Sequence, residues 1–286
     1  MEWIDRLNDA MAYLEAHLTG EIAYEVLAQK ACCSVYHFQR MFSYMAGMPL
    51  SEYIRRRRMS LAAVDLKNRE VRVLDVALKY GYESPTAFTR AFQNIHGITP
   101  SKARDEGVEI KAFPAISFKI IIKGEAEMTY RIEKKEPFRM IGISHPLLSN
   151  IEENFEIVPG MWQKMAMDGT VGHLVTLMDA EPKAVLGVSV CNELEAWRYY
   201  IGVASSADIG DAYEAYTVPE ATWAIFPGKG NAQSIQMLEK RIVTEWLPTS
   251  GYEYANAPDI EVYFNADPEN ALYEVWIPVM KKPDEK

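Results

Sequence analysis

The sequence is poor in cysteine and has no long apolar run. Its 286 residues include three cysteines, two of them adjacent at Cys32 and Cys33, so a disulfide framework is excluded and reduced thiols are expected. No stretch approaches the roughly 18 consecutive apolar residues of a membrane-spanning helix. The N-terminus also lacks the basic start and apolar core of a secretory signal. These absences argue against a secreted or membrane protein and predict a cytoplasmic one.

Sequence patterns for bound metals and nucleotides are missing as well. The five histidines are scattered and have no metal-ligand spacing with the cysteines. No phosphate-binding loop, dinucleotide fingerprint or nucleophile elbow occurs. We therefore predict no metal and no cofactor, and we do not expect the chain to be an enzyme.

Charge is distributed unevenly along the chain, whose net charge is −10. Residues 34–104 hold 12 Lys and Arg against 5 Asp and Glu, whereas residues 108–286 hold 16 against 27. A basic block supplies the phosphate contacts that dominate affinity for nucleic acids. An acidic block favours cationic partners. The sequence therefore predicts two domains whose partners differ in chemistry.

A helix-turn-helix pattern occurs twice within the basic block. In each copy a short amphipathic segment and a tight turn precede a second helical segment, with Ser34 and Ser84 in equivalent places about 50 residues apart. Serine is favoured as a helix N-cap, and Pro85 suits the first helical position. Residues 1–107 are therefore predicted to form an all-α N-terminal domain with two helix-turn-helix modules.

In such a module the second helix enters the major groove of double-stranded DNA and presents its N-terminal side chains to base edges. Glutamine and arginine suit this role because they bond adenine and guanine bidentately. The candidate DNA-binding residues are Tyr36, His37, Gln39 and Arg40 in the first copy and Thr86, Thr89 and Arg90 in the second. A rigid connection would hold the two helices in successive grooves, roughly 34 Å apart.

Residues 126–286 alternate between strand and helix patterns in the order strand, helix, strand, strand, and this order is repeated about 80 residues later. Short connections favour antiparallel pairing of the strands. The pattern predicts an α+β C-terminal domain in which two pseudo-symmetric β-α-β-β units form an antiparallel sheet with helices on one face. Residues 108–125 are predicted to be a connecting segment.

The stretches VLAQKACCSVYHFQRMF and GYESPTAFTRAF, the latter followed by GITPSKAR, closely resemble the DNA-binding domain of the AraC/XylS family. The resemblance covers about residues 5–107. It implies that both modules bind DNA and regulate transcription. The residues that it implies to face bases are Tyr36, Gln39 and Arg40 in the first copy and Thr86 and Arg90 in the second.

The stretches MTYRIEKKEPFRMIGIS, YTVPEATWAIFPGKG and LYEVWIPV resemble the GyrI-like effector domain, which is also seen in Rob-type and BmrR-type multidrug regulators. This resemblance implies a small-molecule cleft in which aromatic rings surround a carboxylate and bind lipophilic cations. Strand alternation supports it by placing an acid beside an aromatic ring on one face. The predicted ligand-binding residues are Glu274, Trp276, Trp197, Tyr199 and Trp162, with Trp223 either in the pocket or in the core.

Three functions are compatible with these observations. The first is a transcription regulator whose DNA binding is tuned by a small-molecule effector, with RNA polymerase as a candidate partner. In the second, the C-terminal domain hydrolyses a reactive small molecule, with Glu274 activating water. In the third, the acidic domain is a surface that binds a topoisomerase or RNA polymerase. The tandem modules joined to a pocket-like domain favour the first function.

Overall fold

The computed structural model describes residues 3–119, 127–148, 151–190, 197–208, 212–265, 267 and 269–282. They form two compact units. The first contains the described parts of Met1–Ala31 and Ala46–Ile120, and the second contains Cys32–Met45 with the described parts of Ile121–Lys286. Within these ranges, no helix is both long enough and apolar enough to cross a membrane.

The described part of the N-terminal region is helical, because apolar residues recur there at helical spacing between turn-forming segments. Its helices are α1 (Trp3–Ala16), α2 (Tyr24–Lys30), α3 (Val35–Ala46), α4 (Leu50–Leu66), α5 (Val73–Lys79) and α6 (Pro85–His96). All of them except α3 belong to the first unit. One core of that unit joins α4, α5 and α6 through the buried Met59, Leu66, Ala77, Phe88 and Phe92.

The serine caps predicted from the repeat are present on both α3 and α6. The Ser34 Oγ accepts a hydrogen bond from the amide of His37 at 3.2 Å, and the Ser84 Oγ accepts one from the amide of Ala87 at 3.1 Å. Each serine thereby satisfies a first-turn amide that has no partner within its helix. Pro85 takes the first helical position of α6. The internal repeat is confirmed at the level of its caps.

We expect Ser84→Ala to lower the free energy of unfolding by about 1 kcal/mol, because the amide of Ala87 loses its acceptor. Urea unfolding followed by circular dichroism measures the change. Ser101→Ala is the control, since the Ser101 side chain makes no capping hydrogen bond. Equal destabilisation by the two substitutions would contradict a capping role for Ser84.

The predicted connecting segment follows the first unit as far as it is described. Residues 108–119 form neither a helix nor a strand. The amide of Phe118 donates to Asn8 Oδ1 at 2.8 Å, and the amide of Ile116 donates to Tyr53 Oη at 3.0 Å. These bonds tie the segment to α1 and α4, while residues 120–125 lie outside the described ranges.

The second unit is built on antiparallel strands with helices packed against them. In the described chain the strands are β1 (Arg131–Lys135), β2 (Phe138–Pro146), β3 (Val185–Val190), β4 (Arg198–Ala204), β5 (Glu214–Val218), β6 (Ala221–Gly230), β7 (Tyr252–Tyr254), β8 (Asp259–Tyr263) and β9 (Ala271–Lys281). The helices that follow α3 in this unit are α7 (Ile151–Met167), α8 (Thr170–Thr176) and α9 (Ala232–Arg241). After α9 the chain continues through a π-helical turn, Ile242–Trp246, and a 3-10 turn, Leu247–Thr249.

The strands follow the order β1-β6-β9-β8-β3-β4-β2-β5, and β7 pairs with β9. The segments β2-α7-α8-β3-β4 and β6-α9-β8-β9 are similar units that meet where β3 pairs with β8. Each unit receives its outer strand from the other half of the chain, since β1 pairs with β6 and β5 pairs with β2. The predicted fold class is confirmed: an all-α N-terminal part and an α+β part with two pseudo-symmetric β-α-β-β units.

The two faces of the sheet carry different side chains, because successive strand residues point to opposite faces. One face, called the Trp276 face, is defined by Val188, Tyr200, Trp223 and Trp276. The other, called the Tyr199 face, is defined by Ile141, Tyr199, Ile201 and Val203. Met165 of α7 and Leu174 of α8 pack against the Tyr199 face.

Candidate functional site

The second predicted recognition helix, α6, presents its polar side chains to solvent. Thr86 and Arg90 are exposed, and Thr89 is partly exposed. Phe88 and Phe92 lie on the other side of the helix and are fully buried in the first unit. The buried phenylalanines fix the rotation of α6, so the three polar side chains point outward as base contacts would require.

The first predicted recognition helix, α3, has the opposite environment. Its four candidate DNA-binding residues are buried, with exposed fractions of 9 % for Tyr36, 5 % for His37, 4 % for Gln39 and 7 % for Arg40. The segment Cys32–Met45 belongs to the same compact unit as the C-terminal sheet. In this conformation the four side chains are not open to a DNA groove, and groups of the C-terminal domain contact Tyr36, His37 and Arg40. Their contact with DNA stays a prediction.

Arg40 is held by two carboxylates of the second unit. Its Nη1 donates to Asp259 Oδ2 at 2.8 Å, and its Nη2 pairs with Glu239 Oε1. His37 Nε2 lies 3.2 Å from the same Asp259 oxygen, and the His37 ring stacks on Tyr254 with 4.1 Å between centroids. Burial opposes the charge of Arg40, but Glu239 and its other neighbours outweigh burial and raise the pKa of Arg40. We call Arg40, His37, Glu239 and Asp259 the Arg40 cluster.

A third carboxylate, Glu261 of β8, lies among aromatic residues within electrostatic range of the Arg40 cluster. Tyr263 and Tyr199 donate their hydroxyl hydrogens to Glu261 Oε2 at 2.8 and 3.0 Å. Trp162 of α7 donates from Nε1 to Tyr199 Oη at 3.0 Å, and its ring meets Tyr263 edge-on with 4.9 Å between centroids. Burial, followed by the charge of Glu239, raises the pKa of Glu261 to about 7. This carboxyl group therefore changes charge near neutral pH.

Space for the Tyr199–Glu261 contact is provided by Gly187 of β3. Gly187 lies opposite Glu261 in the pairing of β3 with β8. A Cβ atom at this position would lie 2.2 Å from Tyr199 Oη and 3.1 Å from Glu261 Oε2. The missing side chain is what allows the tyrosine hydroxyl and the carboxylate to meet above this strand.

The five predicted ligand-binding residues do not surround one pocket. Trp162, Trp197 and Tyr199 lie together on the Tyr199 face. Trp276 belongs to the Trp276 face, and Glu274 shares that face because it lies two residues earlier on the same strand. The prediction that all five line a single site is therefore wrong, because the sheet separates them into two groups.

Glu274 is engaged by groups on its own side of the sheet. Its Oε1 accepts a hydrogen bond from Arg131 Nη1 at 2.7 Å, and its Oε2 accepts one from Trp276 Nε1 at 2.8 Å. Trp223 also lies on this face and is fully buried. Trp223 therefore fills the core, and Glu274 takes part in an ion pair at the side of the sheet away from Tyr199.

Glu261 was not among the predicted site residues, although the sequence contains a signal for it. The tripeptides Glu261-Val262-Tyr263 and Glu274-Val275-Trp276 each place an acid and an aromatic ring on one face of a strand. In the sheet Glu261 lies opposite Val275, and Glu274 lies opposite Val262. The two glutamates are therefore one residue out of register, and their carboxylates lie on opposite faces of the sheet. Only the pairing register shows this difference, because the two tripeptides have the same pattern.

The raised pKa of Glu261 predicts a pH dependence of stability. Folding raises this pKa from 4.5 to about 7, so the folded state favours the protonated carboxyl. Its stabilising contribution is complete below pH 4.5 and is lost as the pH rises through about 7. We expect stability to fall between about pH 4.5 and about pH 7, and Glu261→Gln to reduce this fall. Urea unfolding of both proteins across this range measures it, and an identical pH profile in the variant would contradict the assignment.

The acidic groups of this site are not arranged as metal ligands. In the described parts of the chain, no group of three or more His, Cys, Asp or Glu side chains is placed to hold a metal ion. The carboxylates instead contact Arg40, tyrosine hydroxyls and a histidine ring. This arrangement suits the recognition of an organic positive charge.

Comparisons with known proteins match both parts of the chain. The family of the GyrI-like small molecule binding domain matches residues 128–280, and a helix-turn-helix domain family matches residues 27–106. The HTH-type transcriptional activator AarP of Providencia stuartii is 38 % identical over 98 residues, which are 34 % of this chain and 73 % of AarP. The regulatory protein SoxS of Escherichia coli is 36 % identical over 98 residues, 34 % of this chain and 92 % of SoxS. The transcriptional regulator Rob of Salmonella typhimurium is 39 % identical over 98 residues, which are 34 % of each chain.

Proposed function

Because this chain belongs to the AraC/XylS family of helix-turn-helix regulators and carries a GyrI-like small-molecule-binding domain, we propose that Glu261 anchors a small lipophilic cation that controls its activity. The chain is a DNA-binding transcription regulator. One observation carries the proposal about its effector. The Glu261 carboxylate accepts hydrogen bonds from Tyr199 and Tyr263, and Trp162 contacts both of these tyrosines on the Tyr199 face.

The chemistry around Glu261 favours a cation over other ligands. An aromatic ring attracts a cation by about 0.5–2 kcal/mol, and Trp162, Tyr199 and Tyr263 supply three such rings. Glu239 contributes further negative charge, which is strong enough to shift the pKa of Glu261. An anionic ligand would be repelled by these carboxylates, and a neutral ligand would gain nothing from their charge.

Binding of tetraphenylphosphonium to the full chain tests this proposal. We expect saturable binding at about pH 8, where Glu261 is ionised, and about tenfold weaker binding at about pH 6, where it is protonated. Tryptophan fluorescence follows the titration, because Trp162 and Trp197 belong to the site. Triphenylphosphine oxide, which is neutral and similar in shape, is the control ligand. Equal affinity for the two compounds would contradict a role for the carboxylate.

For the DNA, we propose that α6 contacts bases through Thr86, Thr89 and Arg90. Their outward position and the basic character of residues 34–104 support this assignment. Selection of duplexes from a random pool identifies the preferred site, and its affinity should fall steeply as salt is raised. Failure of the full chain to enrich any sequence, with or without the cation, would contradict the assignment.

RNA polymerase is the protein partner that we propose. The support is a relative described as a transcriptional activator, which matches the helix-turn-helix region. Transcription with purified polymerase, on templates with and without the selected site, tests the proposal. A site-dependent rise in transcript supports it, and equal transcript from both templates contradicts it.

A second candidate function is hydrolysis of a reactive small molecule with Glu261 as general base. A carboxylate whose pKa is about 7 suits proton abstraction at neutral pH. Glu274 is less suitable, because both of its oxygens already accept hydrogen bonds. Chromatographic loss of an electrophilic substrate that disappears in Glu261→Gln would support catalysis, whereas recovery of intact substrate after hours would exclude it.

A further inference from the structure

We propose that α3 is an internal occupant of the effector site: Tyr36 and Arg40 take the place of the aromatic and cationic parts of the ligand, so effector binding releases the first recognition helix for DNA. The inference rests on the proposed function, because it requires a cationic effector near Glu261. It concerns contacts inside the second compact unit, to which Cys32–Met45 belongs.

The first support is charge. Arg40 pairs with Glu239 and Asp259, and all three side chains are more than nine-tenths buried. Arg40 also lies close enough to Glu261 to favour its ionised form. The guanidinium therefore supplies positive charge where the proposed effector would bring its own. A ligand cation and Arg40 are alternative partners for the same group of carboxylates.

The second support is packing. Tyr36 belongs to the same apolar cluster as Trp162 and Tyr199. Its ring meets Trp197 edge-on with 5.7 Å between centroids, and the Arg40 guanidinium carbon lies 6.0 Å from the Tyr36 ring. The helix thus brings an aromatic ring and an adjacent positive charge to the Tyr199 face. Those are the two chemical features of a lipophilic cation.

The third support is that two buried polar atoms where α3 docks lack hydrogen-bond partners. Gln39 Nε2 and Asp259 Oδ1 are buried and make no hydrogen bond among the described residues. A buried polar atom without a partner is unfavourable, so Gln39 is poorly suited to this environment. An adenine edge offers a glutamine amide both an acceptor and a donor. Gln39 therefore matches a DNA base edge better than it matches its buried environment.

The fourth support comes from the repeat. Arg40 and Arg90 each lie six residues after the capping serine of their helix, yet Arg40 is 7 % exposed whereas Arg90 is open to solvent. One recognition helix is accessible, and the other must leave the C-terminal domain before it contacts a groove. Effector and DNA would then favour the same released state, and each would strengthen binding of the other.

Replacing Arg40 tests the competition. Arg40→Ala removes the internal cation and leaves Glu239 and Asp259 buried without their counter-charge, so docking of α3 is disfavoured. If about nine-tenths of the molecules are docked, we expect Arg40→Ala to bind tetraphenylphosphonium about tenfold more tightly than the unmodified chain. Arg241→Ala, which removes a charge from α9 paired with Glu245, should leave the affinity unchanged. Unchanged or weaker binding by Arg40→Ala would overturn the proposal.

Thiol labelling reports the position of α3 without relying on effector binding. In a full chain whose three native cysteines are replaced by serine, Gln39→Cys reports on α3 and Thr89→Cys reports on the equivalent position of α6. We expect slow labelling of the thiol on α3 and faster labelling of the thiol on α6. Rapid labelling at both positions would overturn the docked state.

The carboxylates that hold Arg40 provide the second variant. We expect Glu239→Gln combined with Asp259→Asn to speed labelling of the α3 thiol about tenfold and to leave the α6 thiol unchanged. Saturating cation at about pH 8 should have the same effect on the chain with its natural carboxylates. Circular dichroism verifies that each variant is folded. If both treatments leave the labelling rate unchanged, α3 is a fixed part of the domain and the proposal is overturned.

The two proposals fail in distinguishable ways. If tetraphenylphosphonium does not bind to any variant, the proposed effector site is wrong, and the proposed competition between α3 and the effector is wrong as well. The labelling response to the carboxylate substitutions would then show that α3 docks for a reason other than mimicry of a ligand. If the cation binds but Arg40→Ala gains no affinity, the effector site stands and the internal occupant is wrong.

Discussion

Glu261→Gln is expected to weaken binding of tetraphenylphosphonium about thirtyfold at about pH 8, which corresponds to a loss of about 2 kcal/mol. Glutamine preserves the size of the side chain, and its carbonyl oxygen can still accept from Tyr199 and Tyr263, which now bond Glu261 Oε2. The substitution therefore removes the charge while it preserves the shape of the site. Isothermal titration calorimetry with the full chain measures the loss.

The control for this variant is Glu274→Gln. Glu274 is also a strand glutamate two residues before an aromatic ring, but it lies on the Trp276 face and pairs with Arg131. We expect it to leave the affinity unchanged. The tenfold loss expected between about pH 8 and about pH 6 should also vanish in Glu261→Gln, because the titrating carboxyl is gone. If Glu261→Gln and Glu274→Gln lose the same affinity for tetraphenylphosphonium, Glu261 is not the specific anchor of the cation.

Arg90→Ala is expected to weaken binding to the selected duplex by about tenfold to a hundredfold and to relax the preference at one base pair. An arginine that bonds guanine bidentately contributes about 1–3 kcal/mol of discrimination. The change leaves the buried Phe88 and Phe92 in place, so α6 keeps its packing. Fluorescence anisotropy with the selected duplex, and with duplexes changed at one position, separates affinity from specificity.

A surface lysine of the second unit provides the comparison. Lys229→Ala removes the same charge from β6 and should preserve the ranking of the duplexes. If Arg90→Ala lowers the affinity equally for all duplexes, Arg90 contacts a phosphate and not a base. Full affinity and full specificity in Arg90→Ala would remove it from the interface altogether.

The N-terminal fold was predictable because its signals are local. A serine three residues before the amide that it caps, a proline at the first helical position and apolar residues at helical spacing act within a few residues of one another. The strands of the C-terminal half were predictable for the same reason, since alternation is read along each strand. Local patterns therefore specified both the helical repeat and the pseudo-symmetric sheet.

The candidate site was predicted less well because it depends on which distant surfaces meet. Arg40 and Arg90 are the same residue at the same place in the repeat, and no local pattern states that a carboxylate pair more than 190 residues later covers one of them. Glu261 and Glu274 likewise share a tripeptide pattern, and the register of β8 against β9 decides which one faces Tyr199. These are properties of tertiary packing, and helix and strand periodicity carry no information about them.

The exchange of outer strands makes the two halves of the C-terminal sheet mutually dependent. A polypeptide ending before β5 would leave one edge of β2 unpaired, and β1 would lack its partner β6. The later half alone would likewise leave β6 without β1 and β5 without β2. Two identical copies of either half, however, carry all the edges needed to complete each other. The present domain thus has the architecture of a homodimer whose protomers have been joined into a single polypeptide.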